Sequence, residues 1–345
     1  MAGTTRGRVR NFSPWAYWML RLAALEPRDP CPVDDAAAIP AWRERCRVRL
    51  VELLGPMPER VPLDVEIREV VDCGSYDRQS IVFDSEAAMS VPAFLLVPHE
   101  RREAGPAVLA QHGHGPGKSE VCGLRDDRSA QAIEQHRGDY GHQLAGRGYV
   151  VLAPDLRAFG ERADWVPPDK YGCDLNLVHA LAAGENPLAQ NLWDLSCALD
   201  LLEAHPLVDP NRIGMVGLSY GATCTLFLAA WDERVRAAVV SGYFSEWRES
   251  HRVPWNLCGS QVLPAMLGEI DHVGLGALVA PRPMLVETGT DDLIFPVAGA
   301  RREMARLAAV YDALGVPERL EHDVFDGGHR WNGTLAYRFL DRWLS

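Results

Sequence analysis

The chain has 345 residues, 47% of them hydrophobic, and a formal net charge of -12. That length and apolar content suit one large folded α/β domain with additions, or two domains. The acidic balance argues against a general phosphate-binding surface, so nucleic acid is not an expected partner.

No stretch of about 18 uninterrupted apolar residues occurs, so no membrane partner is expected. The segment MAGTTRGRVRNFSPW has no continuous apolar run of the signal-peptide kind. Eight cysteines are scattered, at 31, 46, 73, 122, 173, 197, 224 and 258, with no C-x-x-C pair. A chain of this size needs no disulfide staples, and free thiols point to a reducing, cytoplasmic setting.

In chain order, residues 14–54 read as two helices. The first carries Trp15, Trp18, Met19, Leu22 and Leu25. The second runs from Trp42 to Leu54 with Val48, Leu50, Val51 and Leu54, and ends at Gly55-Pro56. Prolines 27, 30, 32 and 40 punctuate the linker between them. Residues 1–60 are therefore expected to be a helical extension. It would cap the site, extend a subunit interface or pack on the outside of a sheet. From Val65 the period changes to alternation, and 65–70, 80–83 and 91–97 read as the antiparallel start of a sheet. A short apolar strand, 107–110, runs into Gln111-His112-Gly113-His114-Gly115-Pro116-Gly117-Lys118. This is not a phosphate-binding loop, because His112 stands where the Walker pattern needs glycine. His112 and His114 form a weak metal pair with no third ligand nearby in sequence. The remaining reading is a loop whose flexible main chain turns an N–H toward a substrate oxygen.

A single helix over 130–146 is expected next, then a strand at 149–153 followed by Pro154-Asp155-Leu156-Arg157-Ala158-Phe159-Gly160-Glu161-Arg162. Residues 165–187 read as an excursion near the mouth of a site, and 191–205 as a helix. The run Ile213–Val216 is a buried strand ending in Gly217-Leu218-Ser219-Tyr220-Gly221, before a helix-compatible run. That is G-x-S-x-G between strand and helix. The serine hydroxyl would stand clear of the sheet, and the two glycines would let strand and helix approach. Beyond a strand at 235–240, the long segment 244–275 carries Trp247, His251, Trp255 and Cys258. Its aromatic and polar content suits a substrate pocket, for which His251, Trp255 and Trp247 are candidates. A strand at 283–287 leads to Asp291-Asp292, a helix spans 298–314, a last strand 320–325 precedes Asp326-Gly327-Gly328-His329, and a helix over 331–344 closes the chain. Strands alternating with helices indicate an α/β fold, a mostly parallel central sheet with helices on both faces.

A serine needs a base to become a nucleophile, and the base needs an orienting acid. The chain supplies Ser219, an acidic loop after one strand and a histidine loop after the last. Asp292 is preferred to Asp291 because it fits a G-x-x-D-x-x-x-P layout from Gly289 to Pro296. His329 is preferred to His322, which sits inside a strand. The backbone N–H groups of Tyr220 and His114 are the candidate oxyanion donors.

The pieces QHGHG, PDLRAFGER, VDPNRIGMVGLSYGA, ALVAPRPMLVETGTDDLIFP and FDGGH resemble the α/β-hydrolase superfamily, in its dienelactone-hydrolase and acetyl-xylan-esterase-like branch. The resemblance implies a catalytic domain over 61–345 with pocket-forming insertions near 160–190 and 244–275. It also implies ester hydrolysis through an acyl-enzyme, on a small-molecule substrate, with no metal or organic cofactor. A homo-oligomer is compatible with it. Dienelactone hydrolases carry cysteine where Ser219 stands. Acetyl-ester deacetylases carry glutamine where Tyr220 stands and Arg-Gly-Gln where Leu156-Arg157-Ala158 stands. Substrate identity therefore does not carry over. The same constellation also serves C–C, lactone or peptide hydrolysis and acyl transfer, and a non-catalytic binding protein is the third expectation.

Overall fold

The computed structural model describes residues 10–127, 129–167, 170–250 and 258–345. Its nine strands are β1 (Glu66–Asp72), β2 (Tyr76–Glu86), β3 (Met89–Pro98), β4 (Gly105–Gln111), β5 (Val150–Pro154), β6 (Val208–Leu218), β7 (Ala237–Ser241), β8 (Met284–Gly289) and β9 (Leu320–Phe325). They form one sheet in the order β1-β2-β3-β5-β4-β6-β7-β8-β9. β1, β2 and β3 pair antiparallel with one another, and β3 pairs antiparallel with β5. From β5 to β9 every pairing is parallel.

Strands β4, β5, β7 and β8 and the second half of β6 are buried on both faces, as their apolar runs require, whereas the edge strand β9 is only half-buried and carries Glu321, His322 and Asp323. Alternate residues go to opposite sides. Ala107 and Leu109 of β4 and Val150 and Leu152 of β5 join one core, while Val108, Ala110, Val151 and Ala153 join the other. The first core is closed by α2 (Ile39–Leu54), α7 (Pro187–Ala204), α8 (Tyr220–Trp231), α10 (His272–Val279) and α11 (Val297–Ala313). The second is closed by α3 (Lys118–Val121), α5 (Tyr140–Gly146) and α12 (Ala336–Leu344). Among the described residues, no single helix is long and apolar enough to cross a membrane.

Three elements differ from the sequence reading. The expected helix over 130–146 is two helices, α4 (Ser129–His136) and α5. Arg137 turns left-handed at φ 52°, and a Cβ on Gly138 would lie 2.4 Å from Glu120. The His136 carbonyl accepts from Trp331 N–H instead of continuing the helix. The excursion after 165 contains a helix, α6 (Gly172–Ala183), of which only Cys173 and Ala180 are buried. On α2 the buried stripe is Ile39, Trp42, Cys46, Leu50 and Leu54, whereas Val48 and Val51 face solvent.

The two N-terminal helices behave differently. α1 (Pro14–Ala23), capped by Ser13, buries no residue. α2 packs against α8 and α10 and belongs to the main core. Trp42 anchors it, with its indole N–H donating to the Asp29 carbonyl at 2.8 Å. Trp42→Ala should therefore cost about 3–5 kcal/mol of global stability, measured by urea unfolding. A loss below about 1 kcal/mol would place α2 outside the cooperative core.

Candidate active site

β6 delivers Ser219 at φ 60°, ψ -118°, a left-handed conformation that a side-chain-bearing residue rarely adopts. The neighbouring glycines make it attainable. A Cβ on Gly217 would lie 2.3 Å from the Gly221 backbone, and one on Gly221 would lie 2.2 Å from the Gln111 carbonyl oxygen. Ser219 N–H donates to the Ser241 carbonyl at 2.9 Å, which ties the turn to β7. Tyr220 is the first residue of α8, so its N–H has no partner within the helix. Its phenol is fully buried and accepts from Asn191 Nδ2 at 2.9 Å.

The loop after β4 lies directly on this turn. A Cβ on Gly113 would sit 3.3 Å from Ser219 Cβ. His112 is buried and held by both ring nitrogens: Leu156 N–H donates to Nε2 at 2.9 Å, so Nδ1 carries the proton toward the Gly113 carbonyl at 2.8 Å. Burial pushes its pKa down, which keeps it neutral. The segment 154–162 fixes the same loop from behind. Asp155 accepts from Lys118 Nζ at 2.5 Å and from Lys118 N–H at 2.8 Å. Arg157 and Arg162 both reach Asp194 of α7. Burial alone would raise the Asp194 pKa, but the two guanidinium groups outweigh it and the net shift is downward. The Phe159 ring packs edge-on against both His112 and His114, with centroids 5.5 and 5.3 Å away.

The loops after β8 and β9 meet backbone to backbone, since a Cβ on Gly289 would lie 2.4 Å from the Gly327 carbonyl. That contact brings His329 Nδ1 to 2.8 Å from Asp292 Oδ2. Asp292 is 4% exposed, and its other oxygen accepts from Ile294 and Phe295 N–H at 2.8 and 3.0 Å. Asp291 faces solvent, its N–H serves the Gly327 carbonyl, and it is Asp292 whose carboxylate meets His329. His322 pairs with Thr288 inside the sheet at 3.1 Å.

Ser219 and His329 line one cavity of about 570 Å³, together with Gly113, His114, Leu218 and Phe295. The hydroxyl and the imidazole share this space without a direct hydrogen bond between them. Such bonds are often long in ligand-free enzymes. The remaining wall is Glu120, His136 and Tyr140 on one side, which sequence did not single out, and Tyr171, Cys173, Asp174, Cys258 and Gln261 on the other, which lie in the segments near 160–190 and 244–275. A hydrogen bond from Cys258, opposed by burial and helped by one from His114, holds the Cys173 pKa below the ordinary thiol range.

Of the three substrate-contact candidates, Trp247 is misplaced. It is buried at the start of α9 (Trp247–Ser250), stacked on His272 with centroids 5.3 Å apart, and is not among the cavity-lining residues. An aromatic residue in a long polar segment signals the core as readily as a pocket. His251 and Trp255 lie outside the described residues.

Beneath the site, Glu287 of β8 accepts from the N–H groups of Asn332 and Gly333 and so braces the chain just after His329. Burial pushes its pKa up to about 7, against those donors. A carboxyl raised in the folded state contributes stability that is complete below its unfolded pKa and is lost as pH rises through the folded one. Wild type should therefore lose about 3 kcal/mol relative to Glu287→Gln between roughly pH 4.5 and 7. Denaturant curves across that range check this, and parallel pH dependences would refute it.

A dienelactone hydrolase family model matches residues 122–258. YtaP of Bacillus subtilis (strain 168), a hydrolase by name, is 27% identical over 318 residues, which span 88% of this chain and 100% of YtaP. A 4-O-methyl-glucuronoyl methylesterase of Schizophyllum commune is 30% identical over 173 residues, 41% of this chain and 43% of that protein. Among solved structures, BF1801 of Bacteroides fragilis superposes with a TM-score of 0.78 at 18% identity, over 93% of this chain and 84% of that one. A glucuronoyl esterase from Solibacter usitatus gives 0.63 at 18% identity, over 87% and 90%. At that identity the structures share the fold.

Proposed function

Because the chain belongs to the α/β-hydrolase superfamily, in its dienelactone-hydrolase-like branch, we propose that it is a serine hydrolase of carboxylic esters with small or medium acyl groups. The observation that carries this reading is the convergence of Ser219 and the His329–Asp292 pair on one cavity at the carboxyl ends of the parallel strands. His329 takes the proton of Ser219 as the hydroxyl attacks the ester carbonyl. Asp292 holds the imidazole with Nδ1–H toward itself and stabilises the imidazolium. The N–H groups of Tyr220 and His114 receive the oxyanion, aided by the positive end of α8. The imidazolium then protonates the leaving alcohol, and water releases the acyl group by the reverse sequence.

The lining supports a polyhydroxylated alcohol part and an uncharged acyl part. Glu120, His136, Asp174 and Gln261 offer hydrogen-bonding groups, whereas no Lys or Arg lines the cavity among the described residues. The esterases named above act, by their names, on carbohydrate esters, which fits this reading. The eight free cysteines support a reducing, cytoplasmic location.

Ser219→Ala should lower kcat on p-nitrophenyl acetate by about 10⁴-fold or more, and Asp292→Asn by about 10⁴-fold, both with intact folding. Undiminished turnover in Ser219→Ala, or amide cleavage faster than ester cleavage, would overturn the assignment. The acidic wall further predicts that kcat/KM for a neutral acetyl ester exceeds that for a hemisuccinyl ester by about tenfold, since like charges in a partly desolvated cleft cost on the order of 1–2 kcal/mol. Competition between the two esters checks this, and equal rates would remove the electrostatic argument.

A further inference from the structure

We propose that His114, Cys173 and Cys258 form a Zn²⁺ site in the wall of the cavity that holds Ser219. One ring nitrogen and two sulfur atoms, from three segments far apart in sequence, all lie within 4.8 Å of one another. Zinc bonds of about 2.3 Å to sulfur and 2.0–2.1 Å to nitrogen place tetrahedral ligands roughly 3.5–3.8 Å apart. Contraction by at most about an ångström therefore brings the three into ligand geometry. Two thiolates and an imidazole are a soft donor set, which selects zinc over magnesium or calcium.

The scaffold holds the three segments together independently of any ion. Gly259 packs so closely on α6 that a Cβ there would lie 2.1 Å from Leu177, which fixes Cys258 beside Cys173 in the first turn of that helix. The His114 ring rests against Phe159 and Tyr220, with centroids 5.3 and 5.2 Å away. Cys173 is buried, Cys258 is half-buried and His114 is exposed, so an ion entering the cavity meets all three. Three protein ligands leave a fourth position open, and all three residues line the cavity that Ser219 also lines. A bound ion therefore competes with substrate for the cavity and cross-links the loop after β4, α6 and the chain at Cys258.

The binding test does not depend on ester hydrolysis. Reduced, chelator-treated full-length protein is titrated with Co²⁺ and then Zn²⁺. The expected result is one equivalent of Co²⁺ with a thiolate-to-cobalt charge-transfer band, displaced by one equivalent of Zn²⁺. Cys173→Ser and Cys258→Ser should each lose the band, and His114→Ala should weaken binding about tenfold or more. Cys73→Ser should keep it, as should His99→Ala, which disables the partly exposed Asp72–Asp77–His99 cluster. X-ray absorption of the Zn²⁺-loaded wild type should show two sulfur scatterers, a readout that does not require any variant to fold. Absence of sulfur scatterers, a band that survives Cys173→Ser, or a band lost in His99→Ala overturns the proposal. Where ester turnover is present, Zn²⁺ should inhibit the wild type competitively and spare Cys258→Ser. Inhibition undiminished in Cys258→Ser overturns the coupling to the cavity.

Discussion

The near-contact of main chain with main chain beneath Ser219 sets the geometry of everything around it. The first turn of α8 lies on the end of β4 so closely that Gly221 has no room for a side chain against the Gln111 carbonyl. Because α8 is pressed into the sheet, the chain must reverse sharply between strand and helix, and Ser219 takes up the unfavourable φ. A strained residue of this kind persists only where its surroundings over-determine it. Here the surroundings are the bond to Ser241, the glycine pair and the fully buried body of α8. The contact extends outward. Gly242, just past β7, leaves space for the His329 ring, where a Cβ would approach to 3.1 Å. The seat of the imidazole is thus shaped by the strand next to the one that presents the hydroxyl.

A second constraint is electrostatic. The segment 154–162 places Asp155, Arg157 and Arg162 in the interior, each matched to a charged partner on another element. Buried pairs of this sort add little net stability, because desolvation offsets much of the attraction. Their effect is positional: each carboxylate must find its cation, which leaves one arrangement of the loop after β4, the turn at Phe159 and α7. The main chain around His114 is therefore held from behind by ions and from the side by His112.

What was legible in the sequence is what local chemistry writes into consecutive residues. Gly217-x-Ser219-x-Gly221 is such a case, because strand, turn and helix follow one another without interruption. Asp292 and His329 were legible as polar residues in glycine-containing loops directly after strands, and it is these two that hydrogen-bond each other, while His322 bonds Thr288. The break between α4 and α5 was not legible. It depends on Glu120 pressing against Gly138 and on Trp331 taking the His136 carbonyl, both contacts from elsewhere in the fold. Trp247 misled because an aromatic residue in a polar segment looks the same whether it faces a ligand or His272. The pairing of Cys173 with Cys258 gave no signal at all. They are 85 residues apart by their numbers, with no recurring spacing, and only the packing of Gly259 on α6 brings them together.

The seating of α2 bears on how the molecule comes apart. This helix fills the same apolar interior as α8, whose first residue follows Ser219. A cut or truncation near residue 60 would not release a removable appendage. It would open solvent access to the flank of the helix that presses on β4, and the turn would then be free to relax to a lower-energy backbone. The integrity of the reactive centre is in this way tied to a segment that comes off the ribosome well before any strand of the sheet.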